Sequence, residues 1–133
     1  MTGEHTPEQI VDEFIRRVVG ADLDGAAELV SDDLEYDNVP FGKNIGPEAF
    51  KTFLQAMVGG FASVEFVIHR QVASGNLVMN ERTDRFHHAN GSIDLPVAGL
   101  FEINADGKIA LWRDYFDMAT FTNQMAAMAA PSA

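Results

Sequence analysis

The spacing of apolar positions changes partway along the chain. Ile10, Val11, Phe14, Ile15, Val18 and Val19 recur on one helical face. Thr6-Pro7-Glu8-Gln9 reads as the start of that helix, with Thr6 as N-cap, Pro7 at the first helical position and Gln9 at the capping-box position. Gly20 ends it, and a second, short helix capped by Asp22 carries Leu23, Ala26, Ala27, Leu29 and Val30 as its apolar positions. A short strand from Leu34 to Val39 follows, then a loop marked by Pro40, Gly42 and Gly46. Pro47 opens a third helix with Phe50, Phe53, Leu54 and Met57 on one stripe, and Gly59-Gly60 stops it.

From Phe61 onward the period is two, the signature of strands. Four strands are expected: Phe61 to Val72, Leu77 to His88, Ser92 to Asn104 and Lys108 to Met118. Turn signals separate them at Ser74-Gly75-Asn76, Asn90-Gly91 and Asp106-Gly107. Pro96 suggests an edge or a bulge. A last helix runs from about Thr120 to Ala129. Helices followed by a meander of long strands indicate an α+β fold. The expected form is a strongly curved mixed sheet, a cone whose internal pocket is closed by the N-terminal and C-terminal helices.

Composition narrows the partners. The 133 residues are expected to form a single domain, with 1–5 and 130–133 as flexible ends. A formal charge of −11 and a pI near 4.5 argue against nucleic acid and anionic membranes, which need basic patches. The chain has no cysteine, which excludes disulfides, thiol nucleophiles and thiolate metal sites. The N-terminal segment lacks the pattern of a signal peptide, and no apolar run approaches a membrane span. A soluble, cytoplasmic protein is the expectation.

Polar residues inside apolar strands carry the chemistry. Asp114 shares a strand face with Trp112 and Phe116, so its carboxylate needs a partner. The strand Leu77 to His88 is polar in its middle on both faces, with Arg82 and Asp84 two apart on one of them. Alone, that strand reads most simply as an exposed ladder of charges. Tyr36 and Asn38 are also two apart, and a tyrosine at a core margin is the commoner origin of such a pair. If the three segments converge, they bring two carboxylates, a guanidinium, a phenol and an amide to one apolar pocket. Two close carboxylates cannot both ionise cheaply, so the pair can supply a general base and a general acid together. A guanidinium between them can hold both in place, and the phenol and amide can position a water. That set suits attack of water on a strained ring whose leaving oxygen needs a proton, such as an epoxide.

Tyr36-Asp37-Asn38-Val39-Pro40, Asn80-Glu81-Arg82-Thr83-Asp84 and Leu111-Trp112-Arg113-Asp114-Tyr115-Phe116-Asp117 resemble the three signature segments of the limonene-1,2-epoxide hydrolase family. The resemblance implies a nuclear transport factor 2-like (SnoaL-like) cone, commonly a homodimer, acting without a cofactor on a small apolar epoxide. It also implies roles. Asp114 is the base that deprotonates water, Tyr36 and Asn38 hold that water, Asp84 protonates the epoxide oxygen, and Arg82 bridges the two acids.

Strand phase and helix spacing nominate Trp112, Phe116, Phe86, Phe121, Met57 and Met125 as pocket walls, with ordinary core packing as the alternative. Walls of this kind suit a terpene, sterol or lipid epoxide. No metal site is expected, because the adjacent His87 and His88 point to opposite faces. His69 reads as a sheet-face residue and Asp32-Asp33 as a solvated turn. Glu81, Arg85, Arg113 and Asp117 read as solvent-facing or interface pairs. Two other functions stay open: a ketosteroid isomerase- or polyketide cyclase-like enzyme on the same fold, and a non-catalytic module that binds apolar small molecules. An isomerase needs a single carboxylate base and no arginine between two acids, and a binder needs no proton donor and acceptor together.

Overall fold

The computed structural model describes residues 5–129. The expected flexible ends, apart from His5, lie outside the described residues. The elements are α1 (Pro7–Val19), α2 (Leu23–Ala27), β1 (Val30–Asn38), β2 (Gly42–Ile45), α3 (Pro47–Val58), β3 (Ser63–Ser74), β4 (Leu77–His88), β5 (Gly91–Ile103), β6 (Ile109–Tyr115) and α4 (Met118–Ala129). The sheet order is β2-β1-β6-β5-β4-β3. Every pairing is antiparallel except β1 with β6. The curved mixed sheet and its helices form the expected α+β cone. No described helix is long and apolar enough to cross a membrane.

Local signals explain most of the boundaries. Helix α1 starts with a complete capping box, Thr6 accepting from Gln9 and Gln9 reaching back to the Thr6 backbone. Four differences from the sequence reading share a cause in strand pairing. Helix α2 ends at Ala27, so Leu29 and Val30 are not helical. Instead the Leu29 carbonyl accepts from the Ile109 N–H, and β1 begins at Val30 rather than at Leu34. Asp32 and Asp33 are exposed within β1 rather than in a turn, where the pairing with β6 is irregular, and Asp33 accepts from the Ser31 hydroxyl. The loop at Gly42 contains the short edge strand β2, which pairs with β1 from Glu35↔Ile45 to Asn38↔Gly42.

Strand β5 lies between β4 and β6, yet Pro96 occupies an edge within it. The pairing with β6 reaches only Ala98↔Tyr115, so at Pro96 there is a neighbour on the β4 side alone. The missing N–H therefore costs no ladder bond on the open side.

Helices α1 and α3 close the concave side. Phe14, Phe50, Phe101 and Trp112 are fully or almost fully buried there. Phe14 meets Trp112 edge-on at 5.2 Å, and Trp112 stacks on Tyr36 at 4.6 Å and on Phe101 at 5.7 Å. A second apolar cluster, Phe86, Ile93, Leu95 and Val97, lies toward α4. Helix α4 buries none of its own residues, and Gln124 fastens it to the Asp94 backbone through two 2.9 Å hydrogen bonds.

Because Phe14 joins α1 to the aromatic stack, Phe14→Ala should destabilise the fold by about 3–5 kcal/mol. Urea denaturation of the variant against wild type checks this, and a loss under about 1 kcal/mol would place the main fastening of α1 elsewhere.

Candidate active site

Register brings the three polar segments together. The parallel pairing sets Tyr36 beside Trp112 and Asn38 beside Asp114. It is locked from the outer face by Arg113, which donates to Asp37 at 2.8 Å and to Glu35 at 2.6 Å. A one-residue slip would turn every one of these side chains to the other face. Across β5, Asn80 is opposite Gly99, and Gly99 is opposite Asp114.

Arg82 is the centre of the site. Its side chain is buried, and each of its five N–H groups has an acceptor. Nε and Nη2 donate to the two Asp84 oxygens, each at 2.9 Å. Nη2 and Nη1 donate to Asp114 Oδ2 and Oδ1, at 2.8 and 3.3 Å. The remaining Nη1 proton goes to Asn80 Oδ1 at 2.9 Å. The guanidinium also stands 4.7 Å from the centre of the Phe66 ring. Burial opposes its charge, but Asp114 and Asp84 overcome that and hold its pKa above the ordinary value. Asp114 takes one further donor, the Trp112 indole N–H at 2.8 Å.

The two acids sit on adjacent edges of one cation and share its Nη2. If both ionise, the buried group carries a net negative charge. Burial pushes Asp84 up to about 6, the Asp114 charge adds to the rise, and Arg82 works against it. Burial also raises the Tyr36 phenol well above its usual range, with Asp114 adding to the effect and Asn38 and Arg82 opposing it. The phenol therefore keeps its proton.

Tyr36, Asn38, Asp84 and Asp114 line one cavity, whose other walls include Val18, Leu54, Val64 and Val97. Arg82 stands behind the wall and does not line it. The amide nitrogen of Asn38 is buried in that wall with no hydrogen-bond partner among the described residues.

Four of the nominated wall residues, Met57, Phe86, Trp112 and Phe116, line the cavity. Phe121 and Met125 do not. Helix α4 starts at the Asp117 side chain, which accepts from the Thr120 backbone and hydroxyl, and Gln124 holds it outside β5. That placement sets Phe121 behind the wall, against Phe86 and Phe116, and leaves Met125 on an exposed surface. The polar residues read as outward pairs do form such contacts, Glu81 with Arg70 and Arg85 with Asp94. His69 bonds the Thr83 hydroxyl, and His87 meets Glu65.

Two residues of the site were missed in the sequence. Asn80 is on the Arg82/Asp84 face at the same spacing of two, and it accepts from Arg82. Gly99 is the only interior glycine of β5, a position that often marks close approach by another group. A Cβ there would lie 2.4 Å from Arg82 Nη1, 2.8 Å from Asp114 Oδ1 and 2.9 Å from Asn80 Oδ1. The guanidinium reaches from β4 to β6 by crossing the bare backbone of Gly99.

The chain has a nuclear transport factor 2-like fold with a buried acid pair in an apolar pocket. Residues 5–127 match the limonene-1,2-epoxide hydrolase catalytic domain, and the chain belongs to that family. It is 39% identical over 110 residues to epoxide hydrolase EphG of Mycobacterium tuberculosis, a match covering 81% of this chain and 71% of that protein. The solved structure of an LEH-like epoxide hydrolase from M. tuberculosis superposes with a TM-score of 0.76 at 34% identity, covering 95% of this chain and 96% of the other. An NTF2-like protein of unknown function from Cytophaga hutchinsonii shares the fold, with a TM-score of 0.76 at 19% identity, covering 92% and 99%. Membership and the two M. tuberculosis epoxide hydrolases support epoxide hydrolase activity.

Gly99→Ala should leave a folded protein whose epoxide turnover is at least about 100-fold lower, since the methyl group displaces the guanidinium by roughly an ångström. Circular dichroism together with diol formation tests this, and turnover within threefold of wild type would contradict it.

Proposed function

We propose that this protein adds water to an apolar epoxide of terpene, sterol or lipid type, giving a vicinal diol in one step by general acid–base catalysis. The observation that carries the reading is the Asp114–Arg82–Asp84 bridge at the wall of an apolar cavity. Asp114 is the base that takes a proton from water. Asp84 is the acid that gives a proton to the ring oxygen as its bond to carbon breaks. Water oxygen bonds to the ring carbon in the same step, so no alkoxide is released unprotonated. Arg82 holds both acids and remains charged throughout.

Asn38 and Tyr36 hold the attacking water. The unpartnered Asn38 amide nitrogen supports this role, because a buried donor without an acceptor is costly unless a guest supplies one. The cavity, about 30 Å³, exceeds the roughly 10–15 Å³ that a single water needs. Apolar walls strengthen the electrostatics inside and offer an apolar epoxide its carbon contacts. The acid requirement also favours this reading over a binding module, which has no use for a carboxyl raised toward neutrality.

The acid must carry its proton to act. Raising the pH through the Asp84 value of about 6 removes that proton, so kcat/KM should fall with pH on an alkaline limb starting near there. Asp84→Asn should lower kcat at least about 100-fold at every pH and leave the fold intact. Normal turnover by this variant would sink the acid assignment.

In one-step attack, a single turnover in oxygen-18 water puts the label into the diol. Label found first in a carboxylate of the protein would instead mean that Asp114 attacks carbon and forms an ester.

A further inference from the structure

Behind the site, strand β3 changes phase. Val64, Phe66 and Ile68 pair in regular order with Phe86, Asp84 and Arg82. The register then shifts, His69 is the extra residue, and the next pairs are Arg70↔Glu81 and Gln71↔Asn80. Continued without the bulge, the pairing would put Arg70 opposite Asn80, a second cation next to Arg82. With the bulge, Arg70 meets Glu81 on the outer face at 3.2 Å, and the neutral amide of Gln71 turns inward. Bulges next to active sites often re-aim a side chain in this way.

The re-aimed amide completes a chain of hydrogen bonds. Arg82 Nη1 donates to Asn80 Oδ1 at 2.9 Å, Asn80 Nδ2 to Gln71 Oε1 at 3.0 Å, and Gln71 Nε2 to Asp12 Oδ1 at 3.0 Å and Glu8 Oε2 at 3.4 Å. Its direction is forced by chemistry. A guanidinium has only donors, so Asn80 must show it oxygen and turn nitrogen toward Gln71. Gln71 must then present oxygen inward, and its nitrogen meets carboxylates, which only accept. Asn80 is buried, so reversing any link would strand a donor against a donor.

We propose that Gln71 and Asn80 are positioning residues for the hydrolysis, a relay by which Asp12 on helix α1 orients the Arg82 guanidinium between the two acids. This rests on the epoxide hydrolase reading. Neither amide touches the reacting atoms. Their effect is to hold one Nη1 proton on Asn80, which sets the plane in which the other four N–H groups meet Asp84 and Asp114. The groups facing that guanidinium are Asp84, Asp114, Asn80 and the Phe66 ring, and Trp112 and Tyr36 stand beyond them.

The test is steady-state kinetics on a hydrolysed epoxide, together with titration of the Asp84 carboxyl by carbon-13 NMR. Gln71→Leu should lower kcat about tenfold, the worth of one net hydrogen bond, and leave KM within about twofold. Loosening Arg82 makes the Asp84 anion less favourable, so its titration midpoint should rise by about half a pH unit or more, with the alkaline limb of the rate profile following. Gln71→Glu keeps the acceptor for Asn80, loses the donor to Asp12 and should lose kcat similarly. Adding Asp12→Asn to Gln71→Glu restores a donor–acceptor link of opposite direction and should bring kcat back to within about threefold of wild type. Wild-type kcat and an unmoved midpoint in Gln71→Leu would overturn the relay. So would a loss of kcat that Asp12→Asn does not rescue, with the midpoint unmoved, since that pattern marks a merely structural residue. If wild type forms no diol from any epoxide, the functional reading fails, and the midpoint of Asp84 in Gln71→Leu still decides the relay.

Discussion

A guanidinium with every N–H satisfied inside a protein is the constraint on which this structure turns. An unpaired charge at the position of Arg82 would cost several kcal/mol, and removing one partner of such a buried set typically costs about 3–5 kcal/mol. The five acceptors come from strands β4 and β6, which are not neighbours. The interaction therefore dictates what lies between them. Strand β5 must pass beneath the guanidinium without a side chain, and Gly99 is where it does so.

The same constraint extends outward in two directions. On the β1 side, the parallel register places Tyr36 and Asn38 beside Trp112 and Asp114, and Arg113 clamps that register from outside through Glu35 and Asp37. On the β3 side, a single extra residue at His69 turns Gln71 toward Asn80 and sends Arg70 outward. The aromatic stack of Tyr36, Trp112 and Phe101 joins the site to the core, and the Trp112 indole both packs against it and donates to Asp114. Stability and site geometry are held by the same side chains, so a defect in one reaches the other.

Charge balance connects this arrangement to chemistry. One cation between two carboxylates leaves the buried set a proton short of neutrality, and burial makes that proton worth keeping near pH 6 on Asp84.

The sequence by itself determined the type of each long element, because helical and strand periods are local and the caps and turns are written beside them. It also carried the five polar positions, Tyr36/Asn38 and Arg82/Asp84 at a spacing of two and Asp114 on an apolar strand face, but only the resemblance of the three segments set them apart from an exposed ladder and a core margin. Tertiary structure decided what depends on pairing between distant segments. The start of β1 at Val30, the edge strand β2 and the local edge at Pro96 all follow from which strand lies alongside, and no local pattern encodes that. Phe121 and Met125 share a helix face in the sequence, but capping by Asp117 and the Gln124 contact hold α4 outside the wall. Gly99 and Gln71 take their places around the site only in the folded chain. Their meaning comes from a guanidinium crossing one strand and a bulge reversing another, and both are facts of three dimensions.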